Sequence, residues 1–168
     1  MATSLPENQA DRWSHWGLWI GSIGPLGRLP ASGTVTVIVV GVPAFYWLSF
    51  RPVGLQVLLV TVFTLLSVGL HAWGDRRLGE KDSPMLVWDE LAGFWVAIIA
   101  VPFTWQLAVL AVLLERAFDI TKIPPANLIE KKWPGGWGVV GDDVMAGLYA
   151  GICLQLATYL FPETCGLR

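Results

Sequence analysis

The stretch GLQVLLVTVFTLLSVGLHAW, residues 54–73, contains no Asp, Glu, Lys or Arg. At roughly 1.5 Å per residue a helix of this length reaches about 30 Å, the thickness of a bilayer's hydrocarbon core. The whole chain follows the same bias. It is 54% hydrophobic and 14% charged, with a mean hydropathy of +0.57 and ten Trp. Soluble domains run nearer 45–50% and about 25%. The composition implies an integral membrane protein. With no basic patch, nucleic acid is excluded as a partner. Cys153 and Cys165 form no metal or redox motif, and the start of the chain lacks a basic-then-apolar signal peptide.

Four further apolar runs flank this one. Residues 34–50 precede it, closed by Arg51-Pro52. After the polar stretch 74–82, Ser83-Pro84 offers an N-cap and a first helical residue for a helix to about Val101. Residues 104–121 follow Pro102 and stop at Ile123-Pro124-Pro125, where proline ends helical bonding. The last helix is expected from Asp142 to Phe161. The fold class expected is all-α: about five long apolar helices with four to five crossings, in one membrane-embedded domain over 13–168 behind a polar tail, 1–12. Trp13, Trp16 and Trp19 share one helical face, either interfacial or packed on the protein. Residues 21–33 read as loop.

Five crossings divide the eleven Lys and Arg unequally. Arg12, Arg28, Arg76, Arg77, Lys81, Arg116, Lys122, Lys131 and Lys132 fall on one side; Arg51 and Arg168 fall on the other. The basic side is expected in the cytoplasm.

The acids collect on that same side. Asp89-Glu90 and Asp142-Asp143 border apolar runs, and Asp119 lies between Arg116 and Lys122. Ionisable residues at membrane segments are functional candidates because their placement is costly. Gathered on one face, these acids suit a hard cation such as Mg²⁺. Each has a plainer alternative. Asp142-Asp143 could cap a helix dipole. Asp89-Glu90 could pair with Arg116 or Lys122. Arg116, Asp119 and Lys122, spaced by three, could form an intrahelical salt-bridge stripe, or could bind phosphate and metal. Ser32-Gly33-Thr34, opening a helix, present backbone amides to an anion or are simply loop. His15 and His71 read as interfacial or packed side chains, which argues against a histidine nucleophile. Glu115 has no assigned role. The Asp-x-Asp nucleophile motif is absent, and Asp-Asp-Val-Met-Ala-Gly only echoes the CDP-alcohol phosphotransferase pattern.

Four blocks carry a resemblance over residues 18–160. They are Gly21-Ser22 through Pro30 with Gly33-Thr34; Lys81-Asp82 with Val87-Trp88-Asp89-Glu90-Leu91-Ala92-Gly93; Arg116-Ala-Phe-Asp119-Ile-Thr-Lys122 with Pro125; and Gly135-Gly136-Trp137-Gly138 with Asp142-Asp143-Val-Met-Ala146-Gly147. In this order and spacing the chain resembles the phosphatidylglycerophosphatase A family. It departs at Ser32, where the family has Pro; at Ile123-Pro124, where the family reads Pro-Trp; and at Glu115, usually aromatic.

The resemblance implies Mg²⁺-dependent hydrolysis of phosphatidylglycerophosphate to phosphatidylglycerol at the bacterial inner membrane, with the site facing the cytoplasm. Asp89, Glu90, Asp119, Asp142 and Asp143 would hold metal. Asp89, Asp119, Asp142, Asp143, Arg116 and Lys122 would act in catalysis. Gly33, Thr34, Lys81, Arg116 and Lys122 would bind the phospholipid. Direct attack by water and an aspartyl-phosphate route both fit these residues. Two alternatives stand beside this reading: a phosphatase of another lipid phosphate, and a non-catalytic cation-binding membrane module.

Overall fold

The computed structural model describes residues 15–167. The polar tail and Trp13 lie outside the described residues. A helical stretch over 15–21 and a 3₁₀ turn at Leu26–Arg28 lead into α1, Ser32–Ser49, which widens to π geometry over Val37–Gly41. Then come α2 (Val53–Leu78), α3 (Trp88–Ala97), α4 (Trp105–Thr121), α5 (Ala126–Lys132) and α6 (Gly136–Leu160). No strand occurs among the described residues. Trp16 and Trp19 are 57% and 55% exposed, so the packed alternative does not hold for them.

Among the described residues three helices are long and apolar enough to cross a membrane, α1, α2 and α6, where five were expected. The shortfall lies in the third and fourth runs. Ser83-Pro84 starts no helix: the Ser83 hydroxyl donates back to Glu80 Oε1, and the chain stays irregular to Val87. Helix α3 therefore has ten residues, about 15 Å. It turns back at Ile98–Ala100 into α4, whose Thr104 hydroxyl accepts from the Leu107 amide as N-cap.

Two other boundaries also moved toward the site. Helix α2 outlasts its apolar run by five residues, since polar side chains do not stop helical bonding. It ends where Gly79 takes φ 75° and its amide donates to the Asp75 carbonyl, with Arg76 and Arg77 in the favourable last turn. Helix α6 begins six residues before Asp142.

Helix α2 is polar inside and apolar outside. It buries Gln56, Ser67, His71 and Asp75 and exposes Leu58, Leu65 and Leu66 by more than half. Such a face suits a hydrocarbon surround, where inward polar groups need partners and outward leucines are solvated by lipid.

Helix α6 is the hub, packed on α2, α3, α4 and α5. The apolar core between the helices centres on Phe45, Leu91, Phe94, Leu107 and Leu154. At the α3–α6 crossing the backbones touch. A Cβ on Gly147 would overlap the Gly93 carbonyl, and one on Gly93 would come within 2.6 Å of the Asp143 carbonyl. Small residues permit this approach, and it sets Asp89 beside Asp143. Gly147→Val is expected to lower stability in detergent by about 1–3 kcal/mol, the usual range for overpacking. An unchanged unfolding temperature would contradict the backbone contact.

Candidate active site

The site forms where the N-termini of α1, α3 and α6 meet the C-termini of α2 and α4. Asp89 and Glu90 occupy the first turn of α3. The start at Trp88 makes them less deep than a start at Pro84 implied. Asp89 is nonetheless 4% exposed. Asp142 and Asp143 are each 5% exposed and stand in the second turn of α6, too far from its end to cap it. Asp143 interacts electrostatically with Asp89, Asp119, Asp142 and Glu115.

Arg116 organises one half of the cluster. Its Nε and Nη2 each donate to Glu115 at 2.7 Å, a two-point fork. Its Nη1 lies 3.4 Å from Asp119 and 3.8 Å from Glu90. Glu115, left without a role by sequence, is 0% exposed and holds the guanidinium in place. The salt-bridge alternative is thus realised for Arg116 and Asp119.

Lys122 breaks the expected stripe. It is the C-cap of α4, at φ 45°, and leaves the helical face. Its Nζ donates to Asp142 at 2.8 Å and lies 3.1 Å from Glu130 on α5. Partial burial works against the ammonium. Hydrogen bonding and charge attraction from Asp142, then Glu130, outweigh it and hold the group above the ordinary lysine value. Glu130 escaped the sequence reading because α5 lay in a segment read as loop. Lys81 donates to the Glu130 carbonyl at 2.6 Å, which ties the 79–87 loop to α5.

A cleft of about 540 Å³ opens beside the cluster, lined by Arg28, Ser32, Gly33, Thr34, Glu90 and Arg116 among others. Ser32 is the first residue of α1, whose N-cap Ala31 gives no side-chain cap, and its hydroxyl donates to the Pro84 carbonyl. The first amides of α1 have no acceptor within the helix and suit an anion. A Cβ on Gly33 would overlap the Glu90 carboxylate; glycine is needed for that approach. Sequence reasoning missed Arg28 as a cleft residue, because only the fold of 21–33 brings it there.

The donor chemistry fits a hard divalent cation. Carboxylates of α3, α4 and α6 outnumber Arg116 and Lys122, and the buried Glu90 Oε2 lacks a hydrogen-bond partner. As the side chains stand, no group of three His, Cys, Asp or Glu among the described residues is arranged to hold a metal.

A helical bundle with apolar outward faces, an acid cluster and the basic side chains of Arg28 and Arg116 at a cleft suits an enzyme that acts on phosphoryl groups. The comparison with known families makes the class particular. Residues 19–158 match the family model Phosphatidylglycerophosphatase A, and the chain belongs to that family, a family of phosphatases. It is 28% identical over 122 residues to Phosphatidylglycerophosphatase A of Escherichia coli K12, covering 72% of this chain and 71% of that one. It is 30% identical over 131 residues to the Haemophilus influenzae protein of the same name, covering 77% and 80%. A Putative phosphatidylinositol-3-phosphatase of Bacteroides thetaiotaomicron is 36% identical over 109 residues, covering 61% and 65%. No solved structure matches.

Proposed function

We propose that the protein hydrolyses phosphatidylglycerophosphate to phosphatidylglycerol and phosphate, as a Mg²⁺-dependent enzyme of glycerophospholipid biosynthesis in the bacterial inner membrane. The observation that carries the reading is that Glu90 and Arg116 belong both to the cleft and to the acid cluster. A phosphate seated on the α1 amides would meet Arg116 Nη1, the one nitrogen of that guanidinium outside the Glu115 fork. In the reaction a water oxygen bonds to phosphorus and the glycerol C–O–P bridge breaks on its phosphorus side. Arg116 and Lys122 stabilise charge on the phosphoryl oxygens. A carboxylate of the Asp89, Asp142, Asp143 group takes the proton from the water and returns it to the departing glycerol oxygen, which leaves as the hydroxyl of the lipid. Asp89, Glu90, Asp119, Asp142 and Asp143 are the residues that would hold Mg²⁺; when bound it neutralises phosphate oxygens and acidifies water.

Sidedness supports a cytoplasmic site. The α3–α4 hairpin returns to the face it left, so the 79–87 and 122–135 loops share the basic side counted from sequence. The test is phosphate release from phosphatidylglycerophosphate micelles with Mg²⁺ and with EDTA. Release with Mg²⁺ alone supports the proposal; release in EDTA removes the metal, and none in either removes the substrate. Another lipid phosphate is the second reading, favoured by the relative named for a phosphoinositide; competing lipids in mixed micelles separate the two.

Arg28→Ala is expected to raise KM about 5–10-fold with kcat within about twofold, the pattern of lost uniform binding. A fall in kcat with KM unchanged would place Arg28 in the chemistry and out of binding.

A further inference from the structure

Ser67, His71 and Asp75 follow one another at four-residue spacing on α2 and share one face. All three are buried. Ser67 Oγ, both His71 ring nitrogens and both Asp75 carboxylate oxygens lack a hydrogen-bond partner among the described residues. Buried polar groups are nearly always paired, so three successive exceptions on one stripe call for a reason. His71, the middle residue of the stripe, faces α3. His71 Nε2 stands 3.3 Å from Asp89 Oδ1, which is itself otherwise unpartnered. The distance is that of an ion pair with imperfect alignment. Apo sites often hold such contacts loose. His71 is 0% exposed, so it touches neither cleft nor substrate.

We propose that His71 is the positioning residue of Asp89. An Nε2–H directed at Oδ1 fixes the rotation of the carboxylate and leaves Oδ2 to the acid cluster. Asp89 sits in a ten-residue helix beside a loop, and side chains at such sites need an outer partner to keep their orientation. The role assigned to Asp89 rests on the phosphatase reading; the His71–Asp89 pair itself does not.

The experiment has two arms. The chain has only two histidines, so His15→Gln leaves His71 as the sole ¹⁵N-histidine signal. In detergent micelles we expect the proton on Nε2 and a shifted resonance in Asp89→Asn. A proton on Nδ1 with none on Nε2, or a signal indifferent to Asp89→Asn, overturns the proposal whatever the enzyme does. The second arm is kinetic. His71→Ala is expected to lower kcat about 10–100-fold with KM within about twofold, the usual size of an outer-partner effect. His71→Gln, which keeps an N–H near the position of Nε2, is expected to restore kcat to within about fivefold of wild type. A glutamine variant no better than alanine, or an alanine variant with unchanged kcat, overturns the positioning role. If His71→Ala does not fold, the glutamine variant and the resonance decide. If the wild type releases no phosphate, the phosphatase reading fails and the resonance alone decides the pair.

Discussion

Asp143→Asn is expected to remove nearly all phosphate release while leaving the protein at least as stable as the wild type. Asp143 is buried on α6 against Gly93 of α3, and Asp89, Asp119, Asp142 and Glu115 act on it electrostatically. Among the described residues it has no ion pair within 4 Å. A carboxyl group confined at low dielectric with no ion pair is unfavourable to folding, whether it is ionised or protonated. It persists where function requires it. Asparagine has the same shape and no charge. The loss should be about 10²–10⁴-fold in kcat, the scale of removing one positioned acid or base. The unfolding temperature should stay level or rise, because the crowding of like charge is relieved. Activity and thermal unfolding of the two proteins in one detergent check both halves. Retained activity would take Asp143 out of the site. Lost activity with a lower unfolding temperature would make it structural, and the carboxyl cluster would then need another explanation.

The readability of this site from sequence followed what each residue depends on. Asp89, Glu90, Asp142 and Asp143 were legible because carboxylates beside apolar runs are costly, and that cost is visible in one dimension. Their supporting residues were not. Glu115 is recognisable only once the Arg116 fork is seen, since adjacent residues on a helix point about 100° apart. His71 looked like one polar residue in a run of leucines; its partner is 18 positions away on α3. Lys122 was assigned to the α4 face by its spacing, and a single left-handed residue moved it to Asp142 and Glu130. The helix count erred for a related reason. Apolar length marks what is buried in hydrocarbon or core alike, and α3 reaches only about 15 Å while the residues after it turn back. The same confusion shortened α6, because Gly135 through Gly141 read as loop, though Gly136 and Gly138 let it pack closely on α2 and on the end of α5.

Arg116→Lys is expected to lower kcat/KM by about 10²–10³-fold although the charge is kept, because the site uses the shape of guanidinium. Two nitrogens of Arg116 are committed to Glu115, and the third reaches Asp119, Glu90 and the cleft. Lysine brings one ammonium to both tasks. Glu115 is wholly buried, and a buried carboxylate deprived of its partner is strongly destabilising, by about 3–5 kcal/mol in other proteins. The ammonium should therefore settle on Glu115 and abandon the phosphate. This predicts a particular split: stability falls modestly, while transition-state binding falls steeply. Glu115→Gln in the lysine background releases the ammonium toward the cleft and should recover part of the lost activity. Steady-state kinetics on the single and double variants decide the matter. If Arg116→Lys keeps more than about a third of wild-type kcat/KM, the fork is dispensable and Arg116 acts as a point charge. If the double variant is worse than the single, Glu115 is needed for itself and not as the anchor of Arg116.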